Sequence, residues 1–214
     1  MSDGAARFLI VGLTGGTGSG KSAAARRFEE RGIPVVDADR VGHEVIAPGG
    51  AAEQAVIAAF GPEILECDTI NRLKLGKRVF SDAVALDTLN RIVHPVIYAE
   101  MLTRCQMLAT AGHRVVVIDA ALLAEDGERL PWLDRLALVL SPVEMRIQRL
   151  VEGRGFTEQE ARARVASQTP PERKIPLADW VIVNDGPLPE LHRKVDAIVE
   201  ELRDAVQRAG TDQM

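Results

Sequence analysis

Five short apolar runs are spaced along the chain, and glycine, proline or acidic residues follow most of them. They cover Phe8–Leu13, Ile33–Val36, Val115–Ile118, Leu136–Leu140 and Trp180–Val183. Short runs that carry few polar residues are typical of strands buried on both faces of a sheet. Because helical segments separate these runs, the pattern predicts an α/β fold with a five-stranded parallel sheet flanked by helices.

The intervening segments have apolar residues at helical spacing. The predicted helices cover Lys21–Arg31, Arg40–Ala47, Ala51–Phe60, a long stretch from Asp82 to Gly112, Val143–Glu152, Thr157–Gln168 and the chain beyond Pro187. Pro95 lies inside the long stretch and predicts a kink or a break there. Thr157 and Glu160 have the spacing of a capping box. No convincing strand is predicted between Glu63 and Gly112.

The composition of the chain argues against several classes of protein. The chain has 214 residues, of which 46% are hydrophobic and 4% aromatic, with a net charge of -5. The acidic balance and the few aromatic residues argue against nucleic-acid binding. Cys67 and Cys105 are expected to be two free thiols. With no signal-peptide pattern and no long apolar segment, we expect a cytoplasmic protein that binds no membrane and is a monomer or a weak homo-oligomer.

A glycine-rich motif follows the first apolar run. The segment Gly15–Ser22 reads GGTGSGKS and satisfies the phosphate-loop pattern G-x-x-x-x-G-K-[ST]. Glycines let the backbone turn its N–H groups toward phosphate oxygens, and the following helix presents its N-terminus to them. Lys21 is expected to reach the outer phosphates, and the Ser22 hydroxyl to hold Mg²⁺. We therefore predict binding of a nucleoside triphosphate, but the loop alone does not identify the reaction.

Several acidic residues follow predicted strands. Asp37 and Asp39 come after the second strand, where ligands bind in open α/β sheets. Asp39 is the stronger candidate for the base that takes a proton from an acceptor hydroxyl, although it could instead cap a helix. Asp37 could serve Mg²⁺ through water. Asp119 ends the third strand, where it could either assist a metal or simply terminate the strand.

Arginines are concentrated between Ser141 and Lys174. Guanidinium groups match the charge that spreads over a phosphoryl group during transfer, although most of these residues are expected to lie on solvated helix faces. Arg149 and Arg154 are the stronger functional candidates. His94 lies in the long helical stretch and is more often structural in such a position. Together with the small size of the chain, these features favour a kinase of a small acceptor.

Several stretches together resemble the dephospho-CoA kinase family. They are GLTGGTGSGKS with the Asp37-Ala-Asp39 triplet, LNRIVHPVI around His94, VIDAALLAE after Val116, and VASQTPPERKIPLADWVIVNDG before the last helix. The resemblance covers roughly Phe8 to Leu202. It implies ATP-dependent phosphorylation of the 3′-hydroxyl of dephospho-CoA, with ATP and Mg²⁺ as cofactors, on a P-loop kinase fold with a helical substrate-binding insertion and a lid.

The resemblance also implies domains and site residues. The nucleotide-binding core would comprise 1–61, 113–141 and 176–214, the CoA-binding helical domain 62–112, and the lid 142–175. Asp39, Lys21 and Arg149 would be catalytic. The ATP-binding residues would be Gly15, Thr17, Gly18, Ser19, Gly20, Lys21, Ser22, Ala23 and Asn184. The acceptor would contact Asp37, Asp39, His94 and Leu122.

The chain departs from the family pattern at a few positions. Thr17, Ala23 and Ala121 replace the usual Ile, Thr and Pro, and the usual second lid arginine aligns with Gly153, one position before Arg154. A kinase of another small acceptor, a P-loop binding or regulatory protein without transfer activity, and a nucleic-acid-dependent ATPase are the alternatives.

Overall fold

The computed structural model describes residues 8–121, 123 and 128–211, and the parallel sheet predicted from the sequence is present. Its strands are β1 (Leu9–Gly15), β2 (Val35–Asp37), β5 (Val115–Asp119), β6 (Arg135–Leu140) and β7 (Trp180–Val183). They lie in the order β2-β5-β1-β6-β7. The phosphate loop therefore leaves the central strand, with β5 and β6 on either side of it.

Eight α-helices are found among the described residues. They are α1 (Lys21–Glu30), α2 (Ala38–Val45), α3 (Glu53–Phe60), α4 (Arg72–Phe80), α5 (Ala83–Thr110), α6 (Val143–Arg154), α7 (Glu158–Ala166) and α8 (Leu188–Thr211). Short 3₁₀ helices cover Pro62–Ile64 and Pro171–Leu177. The capping box that the sequence predicts is present, because Thr157 and Glu160 each bond the other's backbone N–H at the start of α7.

In the helical region the structure excludes one of the two alternatives given for Pro95 and contains one element that was not predicted. The helix α5 is not broken at Pro95, since a single helix of 28 residues runs through it. A small antiparallel hairpin, β3 (Leu65–Glu66) with β4 (Thr69–Ile70), also lies in the stretch where no strand was predicted. Its two-residue turn uses Cys67 and Asp68 at positive φ, 48° and 59°, as tight hairpin turns require.

The described residues form two compact units. The first comprises residues of 1–36 and 107–214, and the second is 37–106. The domain limits predicted from the sequence stay a prediction. The first unit contains a core in which one face of the sheet packs against α1 and α8. Its buried members include Val11, Leu13, Ala24, Phe28, Val117, Val139, Ile182, Val195, Val199 and Leu202.

The second unit has its own buried residues on each of its helices, including Val41, Val56, Leu75, Val93 and Met101. Both cysteines of the chain lie in this unit and are free thiols, as expected. Cys105 is fully buried, and burial raises the pKa of its thiol to about 11. Its thiolate is therefore scarce at neutral pH, which makes this cysteine unreactive.

Candidate active site

The phosphate loop is shaped by glycines that no larger residue could replace without movement. Gly18 and Gly20 have positive φ, 78° and 98°. A Cβ atom on Gly18 would lie 2.6 Å from the Arg146 carbonyl oxygen, and one on Gly20 would lie 2.1 Å from the Asn184 side-chain nitrogen. These glycines are therefore required both by the backbone conformation and by the neighbours that pack on the loop.

The N-terminus of α1 is open for an anion. Gly20 precedes the helix in the left-handed conformation and provides no side-chain cap. Within the part of the chain that the structure describes, the backbone N–H groups of Gly18, Gly20, Lys21 and Ser22 donate to no protein acceptor. N–H groups left free at the start of a helix form a site for phosphate oxygens, which the helix dipole also favours.

Lys21 and Ser22 lie in the first turn of α1. The Lys21 ammonium contacts the Asp119 carboxylate, which is buried at the end of β5, the strand next to β1. The Ser22 side chain is exposed. Serine hydroxyl and aspartate carboxylate are hard oxygen donors of the kind that Mg²⁺ takes alongside substrate phosphates. The residues that are present therefore fit such an ion. Among the described residues there is no group of three or more His, Cys, Asp or Glu side chains that could hold a metal ion.

Asn184 and Arg149 hold the loop from the β7 side. Asn184 is buried directly after β7, and its side-chain amide donates to the Ser19 carbonyl at 2.7 Å. The Arg149 guanidinium donates to Ser141 Oγ at 3.0 Å and reaches the carbonyls of Ser19 and Asn184 at 3.3 Å. Asn184 was predicted to bind ATP, and Arg149 to be a catalytic residue. The structure brings them to the loop, while their contact with nucleotide stays a prediction.

Two residues that the sequence analysis did not select hold the tip of the loop. The Thr17 N–H donates to Gln168 Oε1, and the Thr17 carbonyl accepts from Arg146 Nε, both at 2.8 Å. Arg146 Nη2 also donates to Gln168 Oε1 at 2.8 Å. Arg146 stood in the arginine-rich segment without distinction from its neighbours, and nothing local in the sequence distinguished Gln168.

The remaining arginines of that segment differ in their surroundings. Arg162 pairs with Glu144 and Glu158 at the surface, and Arg164 lies 4.5 Å from the centre of the Phe156 ring. Arg154 is exposed at the end of α6 and forms no hydrogen bond or ion pair with any residue that the structure describes. Surface pairs of this kind support the expectation that most of these arginines lie on solvated faces.

Three of the predicted acceptor-binding residues, Asp37, Asp39 and His94, belong to the second unit. Asp37 caps α2, since one carboxylate oxygen accepts from the N–H groups of Asp39 and Arg40 at 2.9 and 3.1 Å. Asp39 is exposed, and its carboxylate is bonded to no described residue. The helix-capping role weighed for Asp39 thus belongs to Asp37. His94 is half-buried on α5, with its ring 5.9 Å from that of Tyr98. Leu122 lies outside the described residues.

No helix in the described part of the chain combines the length and the apolar character that crossing a bilayer requires.

Comparison with known proteins agrees with this arrangement of sheet and loop. The family model described as dephospho-CoA kinase matches residues 9–190. A dephospho-CoA kinase of Streptomyces avermitilis is 43% identical over 206 residues, covering 96% of this chain and 99% of the relative. That of Geobacillus kaustophilus is 41% identical over 194 residues, covering 90% and 96%.

Solved structures share the fold. TT1252 from Thermus thermophilus superposes with a TM-score of 0.77 at 31% identity, covering 92% of this chain and 98% of its own. The dephospho-CoA kinase from Campylobacter jejuni superposes with a TM-score of 0.60 at 21% identity, covering 90% and 96%. The match of the family model to most of the chain, and relatives above 40% identity over nearly their whole length, show that the chain belongs to the dephospho-CoA kinase family.

Proposed function

We propose that this protein transfers the γ-phosphoryl group of ATP to the 3′-hydroxyl of dephospho-CoA, giving CoA and ADP. The observation that carries the proposal is the family match over residues 9–190. The open N-terminus of α1, behind a glycine loop that ends in Lys21 and Ser22, supports the use of a nucleoside triphosphate.

The nucleotide side of the reaction is assigned to the first unit. The free N–H groups of Gly18, Gly20, Lys21 and Ser22 would bind phosphate oxygens, and the Lys21 ammonium would leave Asp119 to reach the outer phosphates. Ser22 would hold Mg²⁺, with Asp119 close to it, and the ion would neutralise negative charge on the transferred group. Arg149, which already contacts the loop, would add a cation beside the phosphates.

The acceptor side is assigned to Asp39. A carboxylate that has no partner among the described residues is available to accept a hydrogen bond from the ribose hydroxyl and to take its proton as the O–P bond forms. Asp37 is less suited to this step, because its side chain is occupied by the N–H groups at the start of α2. His94 and Leu122 are proposed to contact the acceptor.

The proposal is tested by incubating the purified protein with Mg-ATP and dephospho-CoA and following ADP and CoA together. We expect equal amounts of ADP and CoA, and phosphorus NMR should place the new phosphate on the 3′ position. A panel of nucleosides and nucleotides serves as the control. Turnover with one of those acceptors and none with dephospho-CoA would assign the protein to another small-molecule kinase, and ATP binding without acceptor-dependent turnover would indicate a regulatory protein.

A further inference from the structure

The tip of the phosphate loop is bonded on both sides by one pair of side chains. Gln168 Oε1 accepts from the Thr17 N–H, and Arg146 Nε donates to the Thr17 carbonyl, each at 2.8 Å. The two side chains also bond each other, since Arg146 Nη2 donates to the same Gln168 oxygen. The backbone N–H and C=O of a single residue are therefore held in a closed set of three hydrogen bonds, which we call the Thr17 clamp.

The fold explains how distant residues reach this point. The strand β6 pairs with β1 in register, with Gly15 opposite Val139, so the helix α6 that follows β6 starts beside the loop that follows β1. Arg146 lies in the first turn of α6, and Gln168 follows α7. The clamp consequently connects the α6–α7 pair to the phosphate loop, which the sequence separates by more than a hundred residues.

Arg146 fits the loop closely as well as bonding it. A Cβ atom on Gly16 would lie 2.4 Å from Arg146 Nη2, and one on Gly18 would lie 2.6 Å from the Arg146 carbonyl oxygen. The Arg146 side chain therefore lies directly against Gly16, and its backbone against Gly18. The residues on both sides of Thr17 are in contact with the same arginine, which leaves the tip of the loop little freedom.

The charge of Arg146 is not neutralised by a neighbour. The residue is only 2% exposed, and no carboxylate of the described residues forms an ion pair with it. Burial lowers the pKa of its guanidinium, an effect that the more distant Glu172 partly opposes. A buried cation without a partner is costly in a protein interior. Beside a loop that receives a polyphosphate, the same charge contributes a favourable potential to the bound nucleotide.

We infer that Arg146 and Gln168 are positioning residues that hold the phosphate loop in its ATP-binding shape through Thr17. This inference rests on the proposed use of ATP. Both backbone polar groups of Thr17 are bonded within the clamp, and these bonds fix the tip of the loop. The neighbouring N–H groups that would bind phosphate remain free among the described residues, and they belong to Gly18, Gly20, Lys21 and Ser22. The clamp acts on the donor and not on the acceptor, so it should change the affinity for ATP alone.

The test uses Gln168→Ala and Arg146→Met, the second of which keeps most of the side-chain volume without its donors. We expect each to raise the KM for ATP and the dissociation constant for ATP on the order of tenfold, because a misplaced loop loses aligned N–H groups. The KM for dephospho-CoA should not change. Arg162→Ala is the matched control, since Arg162 lies on α7 with only surface partners and should leave both constants unchanged.

Hydrogen exchange supplies a readout that needs no catalysis. In the nucleotide-free protein, Gln168→Ala should speed exchange of the Thr17 amide, whose only partner among the described residues is the Gln168 oxygen. Gln168→Glu keeps an oxygen acceptor for both donors and should restore slow exchange. Because the two side chains hold the same residue and bond each other, the effects of the double variant on ATP affinity should be less than the sum of the single effects.

Unchanged Thr17 exchange and unchanged ATP affinity in both variants would refute the inference. If the KM values for ATP and for dephospho-CoA rose equally and the melting temperature fell, the two residues would have a merely structural role. That result would also refute the inference. Exchange and direct ATP titration do not depend on the acceptor. Failure of dephospho-CoA turnover would therefore overturn the proposed function and leave the test of the clamp intact.

Discussion

The phosphate loop and the Asp37-Ala38-Asp39 triplet are short segments that each follow a strand, but the structure holds them in different ways. The loop is bonded from several directions, by Asn184 at Ser19 and by Arg146 and Gln168 at Thr17. The triplet makes one local cap through Asp37, and the Asp39 carboxylate is exposed.

This difference matches the demands of the two halves of a phosphoryl transfer. Binding a polyphosphate requires several N–H groups aimed in advance, because their alignment supplies most of the stabilisation of developing charge. A general base needs one group with access to the hydroxyl, and a side chain that is already bonded would have to exchange its partner first. A rigid donor site and an accessible carboxylate are therefore compatible within one enzyme.

The largest expected effect comes from Asp39→Asn. We expect kcat to fall about 10² to 10⁴-fold, the usual contribution of a general base, because the amide cannot take the proton of the acceptor hydroxyl. The affinity for ATP should stay near that of the parent protein. Steady-state kinetics with dephospho-CoA and direct titration of ATP measure the two quantities separately.

Asp37→Asn is the matched control for that variant. Asparagine caps helices about as well as aspartate, so α2 should persist and kcat should fall much less. If Asp37→Asn proved the more damaging of the two, the roles assigned to the two carboxylates would have to be exchanged.

The next effect concerns the donor half. Lys21→Ala should lower kcat/KM for ATP roughly 10- to 150-fold, corresponding to the loss of about 1.5–3 kcal/mol from one hydrogen bond to a charged group. Arg26→Ala, which removes an exposed cation from the same helix, should have little effect. If kcat/KM for ATP fell by a similar factor in both variants, the positive charge of α1 would attract ATP in general, and a direct contact of Lys21 with phosphate would not explain the loss.

A smaller effect is expected from alanine substitutions at two glycines, which distinguish a change in the shape of the loop from backbone strain alone. Gly20 and Gly32 both have positive φ, but an added Cβ would collide with Asn184 at Gly20 and would meet nothing within 4 Å at Gly32. Both alanine variants should lose about 1–2 kcal/mol of stability through backbone strain. Only Gly20→Ala should also weaken ATP binding, by about tenfold, because Asn184 must give up its bond to Ser19.

Thermal unfolding and ATP titration of the two glycine variants check this expectation together. Equal ATP affinities would show that the bond between Asn184 and Ser19 does not determine the shape of the loop.

Sequence patterns predicted the structural features that depend on residues close together in the sequence. The five strands, the loop and the capping box at Thr157 are each written in a few consecutive positions, and the structure confirms them. The sequence predicted the long helix but left open whether Pro95 kinks or breaks it, and it did not predict the β3–β4 hairpin. A helix can continue through a proline when the packing of its faces outweighs the lost hydrogen bond, and strands of two residues are too short to show a period.

The supports of the loop were missed for another reason. Arg146 and Gln168 reach Thr17 only after β6 has paired with β1, so nothing near either residue in the sequence marks the contact. An arginine in the first turn of a helix is usually solvated. Asn184 was selected only through the family resemblance, and its bond to Ser19 likewise depends on the packing of β7 beside β6.

The smallest expected effect concerns the anchoring of α1 behind the loop. Arg27 on α1 donates two hydrogen bonds to Asp196 on α8, at 2.8 and 2.7 Å. These bonds hold the pKa of the Asp196 carboxyl below its usual value. A carboxyl whose pKa is lower in the folded protein stabilises the fold at pH values above its unfolded pKa, about 3.9, and that contribution disappears as the pH falls through the lowered value.

Asp196→Asn should therefore lower the melting temperature slightly at pH 7, and the difference from the parent protein should shrink as the medium is acidified below about pH 3.9. Asp204→Asn, farther along α8 with a looser contact to Arg208 at 3.9 Å, is the control and should show a smaller difference. ATP affinity should be the same in all three proteins, because the hydrogen bonds that fix the loop lie at Thr17 and Ser19, on the other end of α1. A loss of ATP affinity in Asp196→Asn would show instead that the loop takes its shape from the packing of α1 on α8 as well as from its own contacts.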